Sequence, residues 1–272
     1  MKKRIALITL FLFMGGCSKP IAEKNLIDKD GLKYKKNIEK PFNGKTVSKY
    51  DNGQKKEERT YKNGKIEGLY ISWYEGGEKF EERNYKDGME DGNWTSWYIN
   101  GQKRKQQSYN NGKKDGLYIR WTEEGKMMEE KTYKDGMEDG NWTSWYLNGK
   151  MMEEKTYKDG MKDGNWTSWY LNGQKKEEKT YKDGMEDGNW TSWYESGQKK
   201  REGLFNDGKQ DGLWIDWYLG GGKWVEATYK KGEEDGKLTG WWENGQKFTE
   251  GTYKNGQWNG ELTQWYENGQ KR

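Results

Sequence analysis

The chain has 272 residues, of which 35% are charged and only 30% hydrophobic, with one Cys and no His. Those counts exclude His-based triads, His general bases and His metal ligands. A single Cys also excludes internal disulfides and Cys-cluster metal sites. The net charge of +4 is too small to hold the chain open by self-repulsion, and 17 Trp with 19 Tyr supply the apolar area that aliphatic residues do not.

At the N-terminus, Lys2, Lys3 and Arg4 precede an apolar run from Ile5 to Met14. The run is too short to span a bilayer and has the form of a signal-peptide core. It leads into Met14-Gly15-Gly16-Cys17, which resembles a bacterial lipobox, with Met14 in place of the usual Leu. The expectation is a lipoprotein signal peptide over residues 1–16, lipidation at Cys17 and a membrane anchor made by acyl chains. Ser18 after the Cys resembles the signal for outer-membrane sorting in a cell with two membranes. The location expected is therefore the bacterial cell envelope. Loss of three cations takes the net charge from +4 to +1, which argues against nucleic-acid binding. Residues 17–30 are polar, lack the pattern that follows and read as a tether.

From Tyr61 onward a 24-residue period runs to the end of the chain without a break in register. Tyr61, Tyr85, Tyr109, Tyr133, Tyr157, Tyr181, Phe205, Tyr229 and Tyr253 occupy one position of the unit. A second position is always Trp, at Trp73, Trp97, Trp121, Trp145, Trp169, Trp193, Trp217, Trp241 and Trp265. Glycines recur three, seven and sixteen residues after the first position. Residues 31–60 contain a leader and a degenerate first unit, and residues 61–272 contain nine units, the last cut short. Such a period means one supersecondary unit stacked on its own copies.

Each unit reads as two short strands. Asn93-Trp94-Thr95-Ser96-Trp97-Tyr98 has strand composition, Asn100-Gly101 reads as a two-residue hairpin turn, and Lys103 to Tyr109 reads as the return strand. A Gly-rich connection such as Asp183-Gly184-Met185-Glu186-Asp187-Gly188 then reverses the chain. On this reading Trp97 faces Arg104 and Tyr98 faces Lys103. Trp97 and Thr95 share one side of the sheet, and Trp94, Ser96 and Tyr98 share the other. The fold expected is all-β: an elongated, single-layer antiparallel array of hairpins. Lys and Met set over aromatic rings replace an aliphatic core.

The run Tyr-Lys-Asp-Gly-x-x-Asp-Gly-x-Trp-x-x-Trp-Tyr-x-Asn-Gly-Gln resembles the MORN repeat variant over residues 31–272. Some members of that family carry a YwqK-type, antitoxin-like label from toxin–antitoxin pairs. The resemblance implies a meander of hairpins that binds or scaffolds and does not catalyse. A second Gly of the usual MORN unit is replaced here by an aromatic at Trp94, Trp142, Trp166 and Trp190, and the return strand is one residue longer.

Other chemistry is weaker. The Asp-Gly-x-x-Asp-Gly connections gather carboxylates of the kind calcium favours, but they lack the alternation of a calcium loop, and Asp-Gly is ordinary turn chemistry. The pairs Glu129-Glu130, Glu153-Glu154 and Glu177-Glu178 would be split between opposite faces of a strand, which argues against paired acid–base catalysis. No catalytic residue, cofactor or metal is expected. The invariant Trp row is expected to pack the sheet. The accessory row, Trp94, Trp142, Trp166, Trp190 and Trp214, is expected to form an exposed interaction surface. The partner expected is a protein, with a toxin or a glycan of the cell wall as the alternatives.

Overall fold

The computed structural model describes residues 19–272. The expected signal segment and Cys17 lie outside the described residues. Within them the chain forms one long 23-stranded sheet that from Gly44 onward is an antiparallel meander, each full strand paired with the full strands before and after it. Several two-residue pieces, such as Lys65–Ile66 ahead of Gly68–Trp73, are the first part of a longer strand interrupted at a bulge. The accessible surface is 18035 Å², against roughly 12,000 Å² for a globular protein of this mass. That excess is what a single layer of strands with no second layer over it requires.

One unit shows why the sequence folds this way. Strand Met137–Trp145 runs out and strand Met151–Lys158 returns. The pairing is Trp142↔Lys155, Thr143↔Glu154, Ser144↔Glu153 and Trp145↔Met151. Two steps along the return strand thus separate Glu153 from Met151 while one step separates Ser144 from Trp145, so a bulge sits at Met152. The same shift recurs in every full unit, as between Ser168 and Trp169 or Asp216 and Trp217.

The two kinds of turn differ from expectation. At the Asn-Gly end, Gly149 N donates to Tyr146 O at 2.8 Å and Tyr146 N to Lys150 O at 2.9 Å. Gly149 has φ +83°, and Asn148 is not in the left-handed region. This is a three-residue loop closed by a glycine bulge, in which Asn148 Oδ1 accepts from Lys150 N at 3.0 Å. The extra loop residue shifts the pairing, so Trp97 faces Lys103 and not Arg104. The true two-residue turn is at Asp-Gly. Asp135 and Gly136 have φ +51° and +92°, and Lys134 pairs with Met137 across them. Asp tolerates the left-handed region because its short side chain costs little there.

The N-terminal segment corrects the tether reading. Ile21–Ala22 pairs in parallel with the first strand of the array, Gly44–Lys49, and Leu26–Lys29 forms a small hairpin with Leu32–Lys35. Glu23 accepts from Tyr61 Oη at 2.8 Å and Arg59 Nη1 at 3.1 Å. Phe42 is buried against the Tyr61 ring at 5.9 Å. The edge of the first strand of the array is therefore covered at Thr46 and Val47.

Candidate interaction face

Strand alternation sorts the side chains onto two faces, and the expected division between Trp97–Thr95 and Trp94–Ser96 holds. The roles expected for the two Trp rows do not. The accessory row lies on the face that holds the core. Trp214 is 2% exposed and Trp166 9%, and Trp94, Trp142 and Trp190 are half-buried. Its rings interlock with the Tyr row: Trp142–Tyr157 at 5.8 Å, Tyr157–Trp166 at 5.3 Å and Trp166–Tyr181 at 4.7 Å. Lysines fill the spaces between rings, with Lys155 Nζ 4.3 Å from the Trp142 centroid and 4.9 Å from that of Trp166. The expected cation–aromatic packing is present, on the face assigned to a partner. Trp166 Nε1 donates to Thr156 O at 3.0 Å and Trp214 Nε1 to Leu204 O at 3.2 Å, so both indoles are satisfied internally. Trp214 sinks deepest because its indole lies over Gly203, where a Cβ would clash with the ring.

This packing explains the titration of the Tyr row. Burial, its largest cause, raises the Tyr61 hydroxyl to about 12, and its hydrogen bond to Glu23 acts in the same direction. Burial likewise raises Tyr109, Tyr133 and Tyr157 to about 12, reinforced by neighbouring carboxylates.

The opposite face is the open one. Here the invariant Trp row is half-buried at all nine positions. Each ring pairs across the hairpin with a residue six positions on, as in Trp73↔Lys79 and Trp169↔Lys175. Most rings also carry a Lys ammonium from the strand before. Lys79 stands over Trp97 at 5.1 Å, Lys103 over Trp121 at 5.8 Å, Lys175 over Trp193 at 5.6 Å and Lys199 over Trp217 at 5.6 Å. The result is a Trp–Lys ladder along the sheet. Most ladder lysines also reach a Glu three residues on, as Lys79 to Glu82 at 2.7 Å, Lys199 to Glu202 at 2.6 Å and Lys223 to Glu226 at 2.7 Å, while Lys103 reaches Gln106 at 3.2 Å. At seven of the nine positions the invariant Trp is further fixed through its backbone, because a Tyr hydroxyl one unit earlier donates to its carbonyl, as Tyr146 to Trp169 O at 2.7 Å and Tyr194 to Trp217 O at 2.8 Å.

On the same face, exposed Met137, Met161, Met185, Leu204 and Leu213 stand with Asn and Thr residues between them. Asn165, Glu178, Asn189, Thr191, Leu213 and Ile215 line an open groove of about 670 Å³. This face, not the accessory Trp row, has the free area for a partner.

The acidic connections are occupied by turn chemistry. Asp139 Oδ2 accepts from Asp159 N at 3.2 Å and Asp91 Oδ2 from Asn111 N at 3.2 Å, clamping the next Asp-Gly or Asn-Gly turn. Among the described residues no three ligating side chains stand together as a metal site. The Glu pairs are split as expected. Glu153 faces Ser144 on the core side and pairs with Lys155 at 2.7 Å, while Glu154 faces Thr143 on the open side.

No curated protein matches the chain. Solved structures that match it include a TcdB2–TccC3–Cdc42 complex, at 9% identity over 85% of this chain with a TM-score of 0.21. The Tc holotoxin pore of Photorhabdus luminescens matches at 11% identity over 85% of this chain with a TM-score of 0.22. The chain spans about 15% of the length of each of those chains. The MORN repeat variant matches at residues 42–63, 66–87, 90–111, 114–135, 138–159, 162–183, 186–207 and 234–255. Each matched stretch holds one return strand with the outgoing strand before it, so the unit of the family is the unit of this sheet. Together they cover well over half of the sequence, and the chain belongs to the MORN repeat variant family.

Proposed function

We propose that the chain is a lipid-anchored protein of the bacterial envelope whose repeat sheet binds a protein partner across its open face, without catalysis. The observation that supports this most is the asymmetry of the sheet. One face uses most of its aromatic residues in its own packing. The other repeats a half-buried Trp–Lys ladder and, apart from it, carries a groove of about 670 Å³ lined by Leu204, Leu213 and Ile215 with Asn and Thr side chains. A repeated, flat presentation of one chemistry suits an extended protein surface better than a small substrate. The anchor rests on the Met14-Gly15-Gly16-Cys17 sequence. In this reading the acyl chains hold Cys17 at the membrane while the array, which begins at Ile21, stands close to it.

The test is site-specific photo-crosslinking in cells. A benzoylphenylalanine at Leu213, on the open face, is expected to capture a discrete protein, and one at exposed Ile38, in the N-terminal leader, is not. Cys17→Ser should release the protein from the membrane fraction. Equal capture from both positions would oppose the open-face assignment, and unchanged membrane association of Cys17→Ser would oppose the anchor.

A further inference from the structure

The Trp–Lys ladder is broken in one place. Where other units carry Lys at the first residue of the return strand, two consecutive units carry Met127 and Met151. These are the residues that pair with Trp121 and Trp145. By the spacing of the rest of the ladder they are the ones that precede Trp145 and Trp169. Those two rings therefore lack the ammonium group that the equivalent lysines place over Trp97, Trp121, Trp193, Trp217 and Trp241. The acidic half of the motif is nevertheless retained. Glu130 and Glu154 stand where Glu82, Glu178 and Glu202 take a Lys from their own strand. Neither has an ion-pair or hydrogen-bond partner among the described residues. The nearest displaced cations, Lys126 and Lys150, are held elsewhere: their ammonium groups donate to Leu147 O at 3.0 Å and Asn172 O at 2.6 Å across the neighbouring turns. Met127 and Met151 are each 36% exposed.

We propose that this gap is the docking site for a segment of the partner protein that carries two cationic side chains. Each would take the place of a missing ladder Lys, lying against Trp145 or Trp169 and pairing with Glu130 or Glu154. The argument is charge complementarity against an internal standard, since the same face shows seven times what a cation does at this position. Equivalent positions of adjacent units are two strands apart, so the two cations should be spaced by about 9–10 Å. Methionine at the gap adds a soft apolar surface that adapts to the stem of a bound Lys or Arg. The proposal rests on the open face being the binding surface and adds the chemistry of what it binds.

The experiment uses the full chain and an acetylated, amidated octalysine peptide, with binding read by tryptophan fluorescence and calorimetry at physiological salt. The double variant M127K/M151K restores the ladder with residues that the other units already carry, so it should fold, as circular dichroism would verify. It is expected to bind about tenfold more weakly than the wild type. E130Q/E154Q should weaken binding in the same direction without filling the gap. Q246K/Q270K adds the same two charges at distant turns and should keep the wild-type affinity within about twofold. Equal affinity of M127K/M151K and wild type, an equal loss in Q246K/Q270K, or no binding by the wild type would each overturn the proposal. Capture at Leu213 would survive any of these results, so failure of the gap and failure of the open face are separable.

Discussion

At the scale of single residues, the two Trp rows exchange the roles that repetition suggests. Invariance marks a constraint but not its kind. The invariant Trp is held by a Lys ladder and by a Tyr hydroxyl on its backbone carbonyl. The accessory position accepts Tyr70, Trp94, Tyr118, Trp142 or Leu238 because any large apolar side chain fills the core face. Nothing in one sequence separates those constraints, whereas burial does. Trp214→Ala should cost about 3–5 kcal/mol in urea unfolding, because it empties a closed site beside Gly203. Trp217→Ala should cost about 1–2 kcal/mol, the loss of a half-buried ring and its Lys199 contact. Equal losses would contradict the face assignment. The Tyr row makes a second prediction. Its folded hydroxyls titrate at about 12 at Tyr61, Tyr109, Tyr133 and Tyr157, against about 10 in an unfolded chain. Between those values the unfolded state binds fewer protons, so stability falls as pH rises. The contribution of these four hydroxyls should be level below pH ~10 and decline toward pH ~12, with tyrosinate at those four positions appearing together with unfolding. Tyrosinate that forms near pH ~10 at any of these four positions while the chain is folded, read residue by residue by NMR, would refute the packing.

At the scale of the hairpin, strands, faces and period were legible in the sequence, and turn geometry was not. Asn-Gly and Asp-Gly both encode two-residue turns in principle. Which one does so depends on the count of residues between paired positions, and a bulge changes that count without leaving a mark in composition. The displaced residue is Lys56, Phe80, Arg104, Met152 or Trp224 in different units, so it has no residue signature. The consequence is testable by stability. Gly136→Ala forces a new L-residue into the left-handed region and should cost about 1–2 kcal/mol, and Asp135→Ala adds to this by removing the short polar side chain that tolerates positive φ. Asn148→Ala leaves an ordinary backbone and removes two side-chain hydrogen bonds, one from Lys150 N and a longer one to Leu171 O, so about 1–2 kcal/mol is expected. A larger loss at Asn148 than at the Asp-Gly pair would mean that the turn types are assigned the wrong way round. The docked N-terminal strand was equally hidden, because Ile21–Ala22 is too short to show a pattern.

At the scale of the whole molecule, coupling runs only between neighbours. Strand pairing, the Tyr-to-Trp-carbonyl bonds and the Asp clamps each span about one unit. Excising residues 85–108 joins Asn84 to Tyr109 in register and should leave a folded chain with a single, slightly lower melting transition. Loss of a cooperative transition would show coupling beyond nearest neighbours. The broken stretch of ladder at Met127 and Met151 was visible as letters in the sequence but had no meaning until the pairing put a Lys over every neighbouring ring. That one face of the sheet holds the core while the other is left open is tested most directly by hydroxyl-radical footprinting of the tryptophans, read residue by residue in the free protein. The expected result is faster oxidation at Trp97, Trp145, Trp193 and Trp217 than at Trp166 and Trp214. Faster oxidation at Trp166 and Trp214 would contradict the assignment of the faces and with it the open surface proposed for the partner.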